Sequence, residues 1–469
     1  MNQAISKLKN CAFINKFRCV LSSKFFPFIT AAITLLCYYL GWDMALIYYI
    51  GITGILMLLL LDDVTPVIHV LLFMSVMISL KNSPSPAMGG SDYYHRTENL
   101  VQIAIVITAF ISAGIYRIVT ACAKKKFKVS PVFMGLCGFA AALFFNGVAS
   151  DKYIPKNLLF ALIMAACFLG IYSVLCCNLK LDKNAFEKIA FGFFALSILL
   201  VIELIVAYAT TEGIFADGKI IRDKLIFGWG LYNNYGVLLV MCIPAVCYLA
   251  SIKNYGFVYT LYSVVLFVAS FFCCSRQAMV GAALIFPFCS AILLIKGKNR
   301  FANICIFVAA AIAAIILIAV YREPVYVFFK DIFANIFVDG ELDGSGRTKI
   351  WREAFNNFRF NPLFGVGFYT KFSYEGKTGL GFMPSMCHDT LLELLSAGGL
   401  LLFIAYACHR VQTVQSFFKN VTLERFFIAV TVLAMLIISL MDNHMFNIFP
   451  TIIYSSLIAV LSASEQKYE

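Results

Sequence analysis

Long apolar runs alternate with short polar connections along almost the whole chain of 469 residues. Each run approaches the ~20 mostly apolar residues that an α-helix needs to cross a bilayer. Fourteen such segments are predicted, at 25–42, 44–61, 64–80, 100–119, 131–149, 155–175, 188–209, 229–250, 257–274, 277–295, 302–320, 390–408, 426–442 and 446–462. The pattern predicts an all-α polytopic membrane protein, because a membrane barrel would show short alternating segments.

The composition agrees with this prediction. The chain is 61% hydrophobic and 13% charged, with a mean hydropathy of +0.87. A soluble globule could not hide so much apolar surface, and a disordered chain would be more polar, so both classes are excluded. The 16 cysteines show no regular pairing and no CxxC metal pattern, which favours small apolar core residues.

Lysine and arginine in the short loops orient the predicted spans. With the N-terminus in the cytoplasm, most loop cations lie inside, including the run at 124–128 and Arg410. The net charge of +12 is then mainly a topology signal, and nucleic-acid binding is the poorer interpretation. We predict one membrane domain over 1–469, with both termini cytoplasmic, a retained first helix and one long extracytoplasmic loop at 321–389.

This long loop is the main exception to the short connections, and loops of that length are usually functional or disordered. An amphipathic helix is predicted from about Ser345 to Phe358, and Asn361-Pro362 should end it. One interpretation is a helix that lies on the outer leaflet. The loop then leads through a glycine-rich stretch to His388-Asp389, at the start of the next span.

Two ionisable residues on the predicted outer side are candidates for chemistry. At a helix N-terminus the protonated form of His388 is disfavoured, which suits a general base. Asp389 could orient the imidazole ring, or it could simply cap the helix. Arg276 lies in a very short turn at membrane depth, where its guanidinium could bind a phosphate or extend to the interface.

Other polar residues on the same side have two interpretations each. Asn233 and Asn234 open a span, where they could bind sugar hydroxyls or cap the helix. Arg222 and its neighbouring lysines could add positive field or be ordinary solvated charges. The segment 442–444 is interpreted by default as a polar turn between the last two spans.

Two acidic residues, Glu203 and Glu393, lie within or near spans. Each could belong to a proton or substrate path, or be satisfied by a neighbouring helix. No phosphate-binding P-loop motif is present, so ATP-driven transport by this chain alone is disfavoured.

Four stretches, in this order, resemble the O-antigen ligase and polymerase superfamily of bacterial membrane glycosyltransferases. They are Asn233-Asn234-Tyr235-Gly236, Ser275-Arg276, Gly346-Arg347 with Trp351 and the segment 361–367 (NPLFGVG), and the segment 388–394 (HDTLLEL) leading into Gly398-Gly399-Leu400. The resemblance covers roughly 225–405, and the N-terminal half matches only as a helix count. Asp389 replaces the family's usual asparagine, and no proline separates Asn233 from Asn234, which leaves the acceptor open.

The resemblance implies a donor glycan on a polyprenyl diphosphate at the outer face of the bacterial cytoplasmic membrane. Arg276 and Arg347 would hold the diphosphate, and His388 would take the proton from a hydroxyl of a glycan or lipid-linked glycan acceptor. The displacement would invert the anomeric centre, with no metal or other cofactor, because the arginines supply the positive charge. The implied substrate contacts are Asn233, Asn234, Trp351, Asp389 and Arg222.

Ligase and polymerase activities are not separated by these residues. The alternative function is a flippase or transporter of lipid-linked oligosaccharide or polysaccharide. Such a protein would need polar residues along a path through both leaflets, and usually repeat symmetry. The polar motifs here lie on one predicted face, which favours the enzyme. The peptidoglycan polymerases of cell shape and division are a related interpretation that no feature favours.

Overall fold

A computed structural model shows a bundle of α-helices joined mostly by short turns. It describes residues 11–77, 96–124, 129–150, 153–182, 184–216, 219–221, 224–225, 227–229, 232–333, 337–338, 341–342, 347–369 and 387–465. Over these residues the chain is the all-α membrane protein that the hydropathy pattern predicts.

The first half of the chain supplies nine helices of the described bundle. They are α1 (Ala12–Leu21), α2 (Phe26–Leu40), α3 (Asp43–Leu60), α4 (Val67–Phe73), α5 (Thr97–Ala123), α6 (Pro131–Ala149), α7 (Pro155–Ala165), α8 (Ile171–Cys176) and α9 (Ala185–Thr210). A π-helical turn, Ala166–Gly170, joins α7 to α8 without a break. Two antiparallel strands of two residues each, β1 (Phe215–Ala216) and β2 (Lys219–Ile220), follow α9.

The second half continues the bundle and carries most of the candidate residues. Its elements are α10 (Tyr232–Ile252), α11 (Gly256–Phe272), α12 (Arg276–Lys296), α13 (Arg300–Val320), α14 (Arg322–Phe333), β3 (Phe337–Val338), β4 (Glu341–Leu342), α15 (Arg347–Phe360), α16 (Thr390–Lys419), α17 (Leu423–Ser439) and α18 (Ile448–Glu465). Helix α15 is the predicted amphipathic helix, shifted by two residues, and it ends directly before Asn361-Pro362.

Each of the fourteen predicted apolar segments contains helix. Among the described residues, ten helices are long and apolar enough to cross a membrane, or eleven if α1 and α2, bent by 80°, form one span. Helices α4 and α11, in the predicted segments 64–80 and 257–274, are shorter than these ten. Helix α17 is as long as the predicted segment 426–442 but begins and ends three residues earlier.

Helix α10 is at the centre of the bundle, and α13 is at its edge. In α10, 94% of the apolar window is buried, against α9, α11, α12 and α17. In α13 only 6% is buried, so its apolar surface faces outward, as expected for a helix against lipid chains. The centre is therefore built around the helix that begins with Asn233-Asn234.

Helix α16 runs further than the apolar pattern suggests. It continues to Lys419, so Arg410, which the prediction placed in a connecting loop, lies nine residues inside a helix. The cause is local, because no glycine or proline interrupts the sequence between Leu400 and Asn420.

One end of α16 is tied to α17 and α18 by buried polar groups. Arg425 is fully buried, yet its Nη1 donates to Leu461 O at 3.1 Å and to Ser464 Oγ at 2.8 Å. Ser416 Oγ donates to Glu465 Oε2 at 2.6 Å. These bonds fix the last three helices relative to one another at the end opposite the turn between α17 and α18.

Candidate active site

His388 occupies a strained backbone position directly before α16. Its φ is +55°, in the left-handed region that costs a non-glycine residue about 1–3 kcal/mol. Asp389 caps the helix, because its Oδ1 accepts the Leu392 N–H at 2.8 Å. The cap holds the turn, and the His388 side chain keeps 38% of its surface exposed. The imidazole is therefore both fixed and accessible.

Asp442, between α17 and α18, joins two of the predicted motifs. Its Oδ1 lies 2.9 Å from His388 Nδ1, and its Oδ2 accepts from Asn233 Nδ2 at 3.1 Å. The Asn443 N–H also donates to Oδ1, at 2.8 Å. Three donors on a buried carboxylate hold it ionised and in place.

The partner of His388 determines which ring nitrogen carries the proton. An ionised carboxylate only accepts hydrogen bonds, so Nδ1 of His388 must donate to Asp442. In the neutral ring Nε2 then keeps its lone pair and is free to take a proton. This is the arrangement of a general base oriented by a carboxylate.

The electrostatics of the 442–444 turn follow from burial and from these partners. Burial alone would raise the pKa of Asp442, but the His388 hydrogen bond and the nearby histidine charges lower it well below its ordinary value. Burial lowers the pKa of His444 below 6.5, Asp442 opposes this, and the charges of His388 and Arg347 lower it further. A neutral His444 thus lies beside an ionised Asp442.

A second buried contact ties this turn to α12. His444 Nε2 lies 3.1 Å from Gln277 Nε2, and both side chains are almost fully buried. Gln277 directly follows Arg276, the first residue of α12. The turn between α17 and α18 is therefore fixed against the same helix end that carries Arg276.

The turn before α12 connects Arg276 to the asparagine motif. Ser275 Oγ donates to Asn233 Oδ1 at 2.9 Å, while Asn233 donates onward to Asp442. Cys274 has a φ of +57° and, with His388, is one of the two non-glycine residues with positive φ in the described chain. One strained residue therefore directly precedes the motif Ser275-Arg276, and the other begins the motif 388–394.

Helix α15 contacts both sides of the His388–Asp442 pair. Arg347 Nη1 donates to the carbonyl oxygen of Met441, next to Asp442. Trp351 Nε1 donates to Cys387 O at 3.0 Å, next to His388. The helix thus packs on the start of α16.

Beneath this contact, Glu393 holds the segment before His388. Its Oε2 accepts the Cys387 N–H at 2.9 Å and the Cys387 thiol at 3.0 Å. Burial raises the pKa of the Cys387 thiol, and the nearby Glu393 charge adds to it, so the thiol stays a donor. One oxygen of Glu393 is therefore paired with a neighbouring part of the protein, while Oε1 is buried without a hydrogen-bond partner among the described residues.

The segment 361–367 fits into a break in α16. At Gly399 the backbone leaves the helical conformation, with φ +64° and ψ −167°. Before this break, the carbonyl oxygens of Ser396 and Ala397 accept hydrogen bonds from the N–H groups of Val366 and Gly367, both at 3.0 Å. In return, the N–H groups of residues 400 and 401 donate to the carbonyls of residues 362 and 363. Only glycine fits here, because a Cβ on Gly399 would lie 2.4 Å from a carbonyl oxygen.

Several predicted residues have other positions or partners. Arg222 and Gly346 lie outside the described residues. Asn234 is in the first turn of α10 and partly exposed. Asp389 caps α16, as one of its two interpretations proposed, and the carboxylate that orients His388 is Asp442. Glu203 accepts the Gly228 N–H at 2.9 Å through Oε1, so one of its two oxygens is paired within the protein.

Sequence reasoning missed two structural partners of the site. Asp442 was interpreted as part of a polar turn, although its position on the predicted outer side was the available signal. Asn146 in α6 donates to Phe364 O at 2.6 Å and to Ala397 O at 2.5 Å, and so holds the segment 361–367 on the break in α16. A single asparagine in an apolar helix gave no indication of these partners.

Across the described ranges, no three His, Cys, Asp or Glu side chains are placed to share a metal ion.

The fold and this polar cluster define an integral membrane protein with a histidine–carboxylate pair at the N-terminal ends of several helices. Residues 261–407 match the family model described as O-antigen ligase. This match, from α11 into α16, confirms the predicted resemblance to that family over the second half of the chain. Among curated proteins, none matches the chain. The matched domain supports a membrane enzyme of surface-polysaccharide biosynthesis.

Proposed function

We propose that the protein transfers a glycan from a polyprenyl diphosphate to a hydroxyl of a glycan or lipid-linked glycan acceptor, as an O-antigen ligase or polymerase. The site would face outward from the bacterial cytoplasmic membrane, with both termini inside. The observation that carries the proposal is the His388–Asp442 pair at 2.9 Å, set among arginines at helix ends.

Helix ends supply the electrostatic argument. Helices α10, α12, α15 and α16 all begin at this cluster, where they present Asn233, Arg276, Arg347 and the Asp389 cap. The N-terminus of each helix carries partial positive charge and free N–H groups, which favour phosphate. Two guanidiniums at such helix ends suit a diphosphate, since each fork can bind two oxygens.

The reaction balances with these groups alone. His388 Nε2 accepts the proton of the acceptor hydroxyl while that oxygen bonds to the anomeric carbon from the face opposite the diphosphate. The bond from the anomeric carbon to the diphosphate oxygen breaks, and polyprenyl diphosphate leaves with the bonding electrons. Arg276 and Arg347 would stabilise the charge that builds on the leaving group, so the mechanism uses no metal. Asn233, Asn234, Trp351, Asp389 and Arg222 are the proposed substrate contacts.

The test is an assay of the purified protein with a polyprenyl-diphosphate oligosaccharide, in which released polyprenyl diphosphate and the glycan product are both measured. His388→Ala should abolish transfer without loss of protein from the membrane. Arg276→Lys should be badly impaired, because a point charge does not replace a bidentate fork. Wild-type rates in either variant would contradict the role proposed for that residue, and loss of activity to a chelator, restored by magnesium, would contradict the metal-free mechanism.

The products distinguish the remaining alternatives. A growing glycan ladder would identify a polymerase, and release of lipid diphosphate only with a separate acceptor would identify a ligase. Movement of the intact lipid across liposomes, with no turnover, would identify the flippase. The enzyme is preferred because the polar contacts collect at one set of helix ends and do not line a path through both leaflets.

A further inference from the structure

Arg410 places a guanidinium inside the bundle, between helices α16 and α18. Its Cζ lies 4.3 Å from the ring centre of Tyr406 and 4.4 Å from that of Tyr454. Tyr454 is six residues into α18, or about 9 Å from its start, and Arg410 is nine residues, or about 14 Å, from the end of α16. The charge is therefore away from both ends of these helices.

The charge has no counter-ion among the described residues. Arg410 Nη2 donates only to the thioether of Met445, at 3.4 Å, which is a weak acceptor. Nε and Nη1 are buried with no hydrogen-bond partner. Two aromatic faces compensate part of the desolvation of a cation, but an unpaired charge at this position remains costly.

Arg425 shows how the same bundle satisfies a buried guanidinium. That side chain donates to two backbone carbonyls and to a serine hydroxyl at the end of α18. Arg410 lacks every one of these kinds of partner, although it is also enclosed by helices and keeps only partial exposure. Among the described residues, the guanidinium of Arg410 thus has no partner that could neutralise its charge.

The position of Arg410 relates it to the candidate active site. Met445, which its guanidinium contacts, is next to His444 and three residues from Asp442, in the same turn. Arg410 therefore lies directly behind the turn that orients His388. An anion bound there would be adjacent to the helix ends described above.

We propose that Arg410 is a second anion site, which binds a phosphate group carried by a lipid. A lipid phosphate fits because its apolar chain can lie along the helices while the guanidinium fork takes two phosphate oxygens in place of the Met445 thioether. The source would be the polyprenyl diphosphate of the proposed reaction, as donor or as released product, or an anionic membrane phospholipid. The first source rests on the proposed function, and the second does not.

Binding to the full-length protein in detergent tests this site. The probes are a polyprenyl diphosphate, phosphatidylglycerol and a polyprenol without phosphate, each titrated against wild type, Arg410→Met and Arg410→Lys. Loss of a charge-assisted contact should weaken binding of one phosphate lipid by roughly 10- to 100-fold in Arg410→Met. Arg410→Lys, which keeps the charge, should recover most of this loss, and polyprenol binding should not change.

Arg300→Met is the matched control, because Arg300 is an exposed cation at the start of α13 and should leave binding unchanged. Thermal unfolding without lipid is a second readout. Removal of an unpaired buried charge should not lower the melting temperature of Arg410→Met, whereas removal of a structural cation would lower it. A clear fall in that temperature, or unchanged binding of both phosphate lipids, would overturn the proposal.

The outcomes separate this site from the proposed function. If wild type transfers glycans and Arg410→Met binds both phosphate lipids normally, the enzyme stands and the anion site is refuted. If binding depends on Arg410 but no glycan is transferred, the site stands and the transferase is refuted. Dependence on phosphatidylglycerol alone would support the anion site and assign it to the surrounding membrane.

Discussion

Replacement of Asp442 by asparagine is the most direct test of how His388 is oriented. The carboxylate accepts from His388 Nδ1 at 2.9 Å and from Asn233 Nδ2 at 3.1 Å, so both of its oxygens are needed as acceptors. An asparagine offers one oxygen and one NH₂ group in the same volume. One of the two contacts must therefore become donor against donor, or a partner must change its protonation.

Either orientation of the new amide disturbs the site. If its oxygen keeps the Asn233 contact, its NH₂ faces His388 Nδ1, which must then accept, and the ring proton moves to Nε2. If its oxygen keeps the His388 contact, its NH₂ faces that of Asn233, which must turn and lose the Ser275 bond. The first result removes the base from the acceptor, and the second loosens the link to α12.

The magnitude follows from the lost bond and the tautomer. A hydrogen bond to a charged group contributes about 1.5–3 kcal/mol, or roughly 10- to 150-fold in rate. A reversed tautomer can reduce kcat by roughly 10⁴-fold, as known for an oriented histidine in hydrolases. We expect a fall of roughly 10²- to 10⁴-fold in kcat, with a much smaller change in the KM for the lipid-linked donor.

Initial rates of polyprenyl diphosphate release, measured against donor concentration, provide the assay. Asp62→Asn is the matched control, because Asp62 is an exposed carboxylate paired with Arg18 in a different part of the bundle. Transfer by Asp442→Asn within about threefold of wild type, with His388→Ala inactive in the same preparation, would refute the orientation argument.

Three further changes have defined outcomes. Gly399→Ala should lower the melting temperature, by an amount set by strain of about 1–3 kcal/mol or more, whereas Gly138→Ala, with nothing near its Cβ, should not. Asp389→Ala should destabilise by about 1 kcal/mol through loss of the cap, and Asp389→Ser should restore most of it. The lowered pKa of His444 means that the unfolded state takes up a proton first as pH falls below 6.5. Stability should therefore fall over that range, and less so in His444→Gln, as melting temperatures against pH will show.

The fold was largely predictable because apolar length and charge are local properties of a membrane chain. Each predicted segment contains helix, and helix α15 ends where Asn361-Pro362 indicates. Span lengths and bounds were less predictable, since α4 and α11 are shorter than their predicted segments over the described residues and α17 is shifted by three residues. Helix α16 also continues past the predicted end at residue 408, because a helix packed against protein can continue through polar residues.

The candidate site was predictable in residue type but not in pairing. His388, Arg276, Arg347 and Asn233 stand out as polar residues at the ends of apolar runs. That Asp442 would join His388 to Asn233 depends on how α10, α16 and the last two helices pack, over separations of 54 and 209 residues. Periodicity carries no information on contacts between residues so far apart in sequence. The sequence therefore offered Asp389, the neighbour of His388, as the carboxylate that could orient the imidazole ring.

Backbone strain gives an independent argument that this cluster is functional. Cys274 and His388, the two described non-glycine residues with positive φ, each directly precede the N-cap residue of a helix that begins at the cluster. A positive φ is uncommon for any residue other than glycine, so the surroundings must hold it in place. At His388 the Asp389 cap and the Asp442 bond do so, and at Cys274 the neighbouring Ser275–Asn233 bond does. Strain held by hydrogen bonds fixes donors and charges before a substrate arrives, as electrostatic stabilisation of a leaving group requires.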